Sequence, residues 1–122
     1  MSTTYVRELW TVRGSDTLMR ARLVVQTAYA LSATDYWTFT LRRRRAAIGA
    51  SVPAQSIGEQ VGNALSTQTR NLAANGPATL YDDPTGLPMS DGETLVLYAV
   101  STGSPVALDD ARVRLKIQRK VS

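Results

Sequence analysis

The chain has 122 residues, a length typical of one domain, and 43% of them are hydrophobic. Its net charge of +4 comes from 14 basic and 10 acidic residues, and only two of the basic residues are lysines. His and Cys are absent, which excludes disulfides, thiolate metal sites and catalysis of the Ser–His–Asp or Cys–His kind. No apolar run is long enough for a membrane span, and the N terminus does not have the pattern of a secretory signal.

Residues of alternating polarity predict three strands in the first part of the chain. The first spans Val6–Val12. The second places Met19, Ala21, Leu23, Val25, Thr27, Tyr29 and Leu31 on one face, with Arg20 and Arg22 on the other. The third, Tyr36–Leu41, places Trp37, Phe39 and Leu41 together. A strand of this kind packs one face on a core and leaves the other in water.

The middle of the chain has a weaker pattern. Pro53 argues against a central strand there, and two glycines oppose a stable helix. We therefore predict one long irregular connection over residues 46–75, containing a short helix or an irregular edge strand. Connections of this length in compact domains often carry functional contacts.

The last part of the chain alternates turns and strands. Asn75–Pro77, Asp82–Gly86 and Ser90–Gly92 have turn composition. Between and after them, we predict a short strand at Thr79–Tyr81, a strand with both faces largely buried at Thr94–Val100, and a strand with one basic face at Val113–Ile117. At least five strands separated by turns predict an all-β, antiparallel sandwich or barrel forming a single domain over residues 1–122.

The sequence has little catalytic equipment. Its acidic residues lie mostly in or beside turns, where Asp side chains cap the local backbone, and the doublets Asp82–Asp83 and Asp109–Asp110 lack the spacing of a dedicated calcium loop. We therefore predict no enzyme activity, no metal site and no cofactor. The run Arg42–Arg45 follows Tyr36, Trp37 and Phe39, a combination found in proteins that bind single-stranded nucleic acid. Because Trp37 and Phe39 are predicted to be core residues, nucleic-acid binding is an alternative and not the main interpretation.

Four segments resemble the small jelly-roll domains of tailed-phage virions. Thr17–Val25 and Tyr36–Arg43 resemble their paired central strands, Ser90–Val100 resembles their acidic turn followed by a strand, and Ala111–Ile117 resembles their closing strand. The resemblance implies an antiparallel jelly-roll-like β-sandwich.

Such domains occur as cement proteins on capsids and at the tips of fibres. Fibre proteins usually carry a shaft or attachment segment as well, and no such segment is expected here, which favours a cement protein. The resemblance then implies a homotrimer bound to the major capsid protein on the virion surface, made in the host cytoplasm and in contact with neither a membrane nor nucleic acid. An alternative within this family is a fibre or carbohydrate-binding module, for which an exposed Trp10 or Tyr98 would be the sign.

On this interpretation, basic side chains would meet an acidic capsid surface. The candidate partner-binding residues are Arg42, Arg43, Arg44, Arg45, Arg112 and Arg114. The two ends, Met1–Tyr5 and Lys120–Ser122, would either act as arms or fray.

Overall fold

The structure, a computed structural model, describes residues 4–45, 58–108 and 111–119. No helix in these ranges is long and apolar enough to cross a membrane. The described residues form seven strands: β1 (Thr4–Thr11), β2 (Asp16–Val25), β3 (Tyr36–Arg44), β4 (Glu59–Ser66), β5 (Ala78–Met89), β6 (Thr94–Thr102) and β7 (Ala111–Arg119). The predicted arms lie almost entirely outside the described residues.

The seven strands form two antiparallel sheets. The four-stranded sheet has the order β1-β6-β3-β4, and the three-stranded sheet has the order β5-β2-β7. Successive strands alternate between the sheets except at β3 and β4, which are neighbours. The predicted all-β, antiparallel sandwich is confirmed.

The core lies between the inner faces of the two sheets. Phe39 and Leu41 of β3 lie beside three residues of the neighbouring strand β6 in the same sheet, namely Leu95, Leu97 and Ala99. All five side chains are fully buried. β6 lies between β1 and β3. Val96, which projects from the outer face of this sheet, is also fully buried. The prediction that both faces of this strand are largely buried is therefore confirmed.

A bulge in β2 changes which residues reach the core. Leu18 pairs with Ile117 and Arg20 pairs with Lys116, so Met19 is an extra residue on β2. Leu18 is fully buried and Met19 is only half-buried, so the prediction that Met19 belongs to the core face is wrong by one residue. A bulge resets the alternation of a strand, and the alternation of the residues before it could not show where it lies.

The predicted strand from Met19 to Leu31 is also too long. β2 ends at Val25, and Tyr29 makes only an isolated bridge with Leu72. Tyr29 is buried and its hydroxyl donates to the carbonyl of Ala107 at 3.0 Å, whereas Leu31 is about half exposed, at 49%. The alternating pattern continues past the point at which a partner strand is available.

The turn predicted at Asp82–Gly86 does not reverse the chain. β5 runs through it, and the register jumps from Leu87 opposite Leu18 to Asp82 opposite Arg20. Within this bulge, the Asp83 carboxylate accepts hydrogen bonds from the amide and the hydroxyl of Thr85, at 3.0 and 2.8 Å. These bonds lower the pKa of Asp83. The turn-forming residues therefore produce a bulge within β5 and not a chain reversal. Because β5 is an edge strand, Pro84 is tolerated there.

The predicted irregular connection contains an edge strand. Residues 46–57 lie outside the described ranges, but residues 59–66 form β4 at the edge of the four-stranded sheet. Gly62 adopts a φ of 73°, and β4 bulges opposite β3 between Leu65 and Val61. The bulge brings the backbone of Gly62 against the carbonyl of Leu80 in the other sheet. The two sheets are therefore in close contact on the β4–β5 side.

Replacing Gly62 should destabilise the fold through a backbone collision. Gly62→Ala would place a methyl group on the Leu80 carbonyl oxygen, whereas Gly14→Ala, at a similar positive φ of 81°, meets nothing within 4 Å. We expect Gly14→Ala to lower the free energy of unfolding by the left-handed strain alone, about 1–2 kcal/mol. Gly62→Ala should add an overpacking cost of about 1–3 kcal/mol. Denaturant unfolding of both variants measures the difference, and equal losses would contradict the close approach.

Candidate partner-binding surface

The four consecutive arginines of the sequence, Arg42–Arg45, lie at the end of β3 and just beyond it. Because side chains alternate along a strand, Arg42 and Arg44 project from the outer face of the four-stranded sheet. Arg43 and Arg45 project to the opposite side, at the end of the sandwich. The run is therefore divided between two environments.

The two outward arginines contact their own sheet. The guanidinium of Arg42 lies 5.1 Å from the ring centroid of Tyr98, a cation–π geometry. It also donates to the hydroxyl of Thr40 and to the carbonyl of Gly58, each at 3.2 Å. Arg44 forms an ion pair with Glu8 of β1. Both charges are thus directed towards partners inside the protein.

The other two arginines form an arginine–glutamate cluster with Glu59 and Glu93. Arg43 reaches Glu59 at 3.0 Å and Glu93 at 3.6 Å, and Arg45 reaches Glu93 at 3.4 Å and Glu59 at 3.8 Å. The side chains of Arg43 and Glu93 are 17% and 10% exposed. Glu93 also accepts a hydrogen bond from the amide of Ser90 at 2.6 Å. Each arginine of the run therefore has a partner inside the fold, and its predicted role in capsid contact stays a prediction.

A second group of basic residues lies on the outer face of the three-stranded sheet. Arg20 and Arg22 project from the central strand β2, and beside them Arg112, Arg114 and Lys116 project from β7. We call these five residues the basic face. The three residues of β7 are exposed, and the two of β2 are half-buried between neighbouring strands. A shallow groove of about 400 Å³ opens at one end of it, lined by Val24, Gln26, Asn75, Arg112, Val113 and Arg114.

Like charges are directly opposite one another on the basic face. Arg20 pairs with Lys116, and Arg22 pairs with Arg114. Directly opposed like charges destabilise a sheet. In the described ranges no ion pair involves Arg20, Arg22, Arg114 or Lys116. Asp82 lies opposite Arg20 on its other side without reaching salt-bridge distance.

The basic face has an excess of positive charge. Among the residues that the structure describes, five basic residues and one acidic residue, Asp82, lie on it. Charged residues on an edge strand can serve simply to prevent aggregation. That explanation covers β7 but not Arg20 and Arg22, because β2 is the central strand. The basic rows of β2 and β7 together form a surface suited to binding an anionic partner.

Sequence reasoning identified part of this surface. It named Arg112 and Arg114 as partner-binding candidates but did not name Arg20, Arg22 and Lys116. The missed residues carried a signal, since both strands alternate basic with apolar residues. Only the pairing of β2 with β7, about 90 residues apart in the chain, brings the two basic rows together.

The aromatic residues considered for nucleic-acid or carbohydrate binding are not available for stacking on a ligand. Trp37 and Phe39 are buried, at 4% and 0% exposure, so they cannot stack on bases. Trp10 packs against the margin of the core, and Tyr98 lies under Arg42. Within the described ranges, no cluster of three or more Asp and Glu residues could hold a metal ion. Asp109 and Asp110 lie outside those ranges.

Comparisons with known proteins give no relative. No protein-family model matches the chain, and neither a curated protein nor a solved structure does.

Removing the charge of Glu93 should destabilise the arginine–glutamate cluster. Glu93→Gln retains an oxygen for the Ser90 amide but removes the negative charge that lies 3.6 Å from the Nε atom of the largely buried Arg43. The Nε atom of Arg43 is buried and has no hydrogen-bond partner. Its burial is therefore compensated by the nearby carboxylate charge. We expect a loss of about 1–3 kcal/mol in the free energy of unfolding. The control Glu59→Gln, whose side chain is 49% exposed, should cost less than about 1 kcal/mol. A larger loss for Glu59→Gln would contradict this ranking.

Neutralising part of the basic face should stabilise the protein. The double variant Arg114→Gln and Lys116→Gln removes one member of each opposed pair, so we expect a gain of about 1 kcal/mol in the free energy of unfolding. The gain should shrink with added salt, which screens exposed charges. Arg13→Gln with Arg70→Gln removes the same charge from two exposed positions off this face and should change stability little. Urea unfolding at low and high salt compares the two variants, and equal effects would rule out repulsion on the face.

Proposed function

We propose that this protein is a non-enzymatic structural protein of tailed-phage virions that decorates the outer capsid lattice and stabilises the mature shell. Two features support the proposal. The described residues form a compact antiparallel β-sandwich, the architecture that the resemblance implies. Within the described ranges, five basic residues and only one acidic residue also lie together on one face of that sandwich. A jelly-roll classification and assembly as a homotrimer belong to the same proposal.

The observation that carries the proposal is the opposition of like charges on the basic face. A protein that only had to fold would gain stability by losing one member of each pair. Retaining them is understandable if a partner with complementary negative charge covers the face, because complementary potentials steer association and fix orientation. An acidic outer surface of the shell protein is the partner that we assign to it. The sequence pattern gave this role to the Arg42–Arg45 run, but those arginines have partners inside the protein, so the basic face is the stronger candidate.

Docking of this kind would stabilise a shell by mass action. A protein that binds only the mature lattice lowers the free energy of that lattice relative to every state that it does not bind. If the protein docks as a symmetric oligomer, each contact is repeated, and contacts of modest strength combine through a high effective concentration. The face therefore does not need a deep pocket to hold the protein on the lattice.

The proposal is tested by the number of copies in purified particles of the virus that encodes the chain. Quantitative mass spectrometry against the major shell protein should find hundreds of copies per particle, as expected for a protein that repeats across a lattice. A dozen or so copies would assign the protein to the tail or fibre apparatus, and absence would overturn the proposal.

The same particles test the docking surface. Particles carrying Arg114→Gln with Lys116→Gln should release the protein at lower salt than particles with the unmodified protein, because fewer charge contacts hold it. Particles carrying Arg13→Gln with Arg70→Gln should release it at the unmodified salt concentration. Equal release from both variants would remove the basic face from the docking surface.

A further inference from the structure

The sandwich has four edge strands, and three of them are interrupted. Exposed edges can pair with other chains, and proteins commonly blunt them with bulges, Pro or charged side chains. β1 has a bulge at Leu9, and β4 has a bulge with Gly62 at a positive φ. β5 contains Pro84 and Pro88 and the excursion that begins after Asp82.

The fourth edge, β7, is uninterrupted. It pairs with β2 from Ala111 opposite Val25 to Arg119 opposite Asp16, and the extra residue in this ladder, Met19, belongs to β2. β7 contains neither Gly nor Pro. Within the described part of the chain, no strand lies along its other side. Past Ala111, whose carbonyl accepts a hydrogen bond from Arg7 at 2.9 Å, this nine-residue strand therefore presents a regular edge whose alternate backbone groups can accept and donate hydrogen bonds.

The side chains of β7 define what could pair with that edge. Arg112, Arg114 and Lys116 project outward and are exposed, whereas Val113, Leu115 and Ile117 project inward and are half-buried at the margin of the core. In an added strand, directly opposite residues would lie about 5 Å from these side chains. Acidic residues would therefore fit beside the cations, and aliphatic residues would fit beside the apolar row.

We propose that the free edge of β7 is a strand-addition site for an extended partner segment in which Asp or Glu alternates with aliphatic residues. Main-chain hydrogen bonds would supply affinity, and the two rows of side chains would supply specificity and register. The assignment of that segment to a shell protein rests on the proposed function, whereas the strand addition itself does not.

The same row of cations selects against a second copy of this chain. Pairing β7 with β7 would bring the two basic rows together, and opposed like charges destabilise a sheet. Arg20 and Arg22 of the neighbouring strand extend the positive field beyond the edge. The edge is thus disfavoured for self-association and favoured for an acidic strand, which is discrimination by repulsion as well as by attraction.

Synthetic peptides with blocked ends test this proposal on the intact protein. The first peptide alternates Glu with Val, the second has the same composition with the glutamates grouped at one end, and the third replaces Glu with Lys in the alternating order. We expect fluorescence anisotropy to show that the alternating acidic peptide binds at least about tenfold more tightly than the grouped one. The lysine peptide should not bind. Equal binding of the two acidic peptides would overturn the proposal, since attraction without register would then explain both.

Two further measurements locate the binding. Hydrogen exchange on the unmodified protein should show new protection in residues 111–119 with the alternating peptide, and protection confined to β1, β4 or β5 would overturn the site. The variant Arg114→Glu with Lys116→Glu should prefer the lysine peptide, whereas Arg13→Glu with Arg70→Glu should retain the original preference. Peptide binding by a protein that is absent from particles would leave the strand-addition site standing and overturn only the proposed function.

Discussion

Every strand of this protein has to bury one row of side chains, and that constraint decides where the charges lie. Side chains alternate strictly between the faces of a strand, so any charge between two core residues must point away from the core. In β2 and β7 most of the residues between the inward-facing apolar ones are basic. Once the sheet forms, those charges are forced onto one face.

The two basic groups of the chain are treated in opposite ways. Arg43, Arg44 and Arg45 form ion pairs with Glu8, Glu59 and Glu93, which come from three other strands or turns, and Arg42 lies over the ring of Tyr98. Among the described residues, no ion pair compensates the two opposed pairs of the basic face. The ion-paired arginines are held within the fold, whereas the basic face is the surface that we propose for contact with a partner.

The two open sides of the sandwich differ in how closely the sheets approach. The glycine bulge of β4 lets the two sheets approach on one side of the sandwich, at Gly62 and Leu80. On the opposite side, β1 and β7 are not paired with one another in the described ranges; a side-chain contact from Arg7 to the carbonyl of Ala111, at 2.9 Å, links them. The regular edge of β7 thus lies on the more open side and borders the basic face. The regular backbone edge and the exposed basic side chains therefore lie on the same part of the surface.

The sequence by itself determined the fold class, the approximate positions of most strands and the buried rows of β3 and β6, because period-two alternation is a local property that survives in any sheet. It could not locate the bulge at Met19 or the end of β2 at Val25, since both depend on where a partner strand begins and stops. Nor could it distinguish a turn from an excursion at Asp82–Gly86, because the two use the same residues. Only the tertiary structure decided which charges meet: it placed Glu93 beside Arg43, and it placed Arg20 beside Lys116, by pairing strands that are distant in the chain.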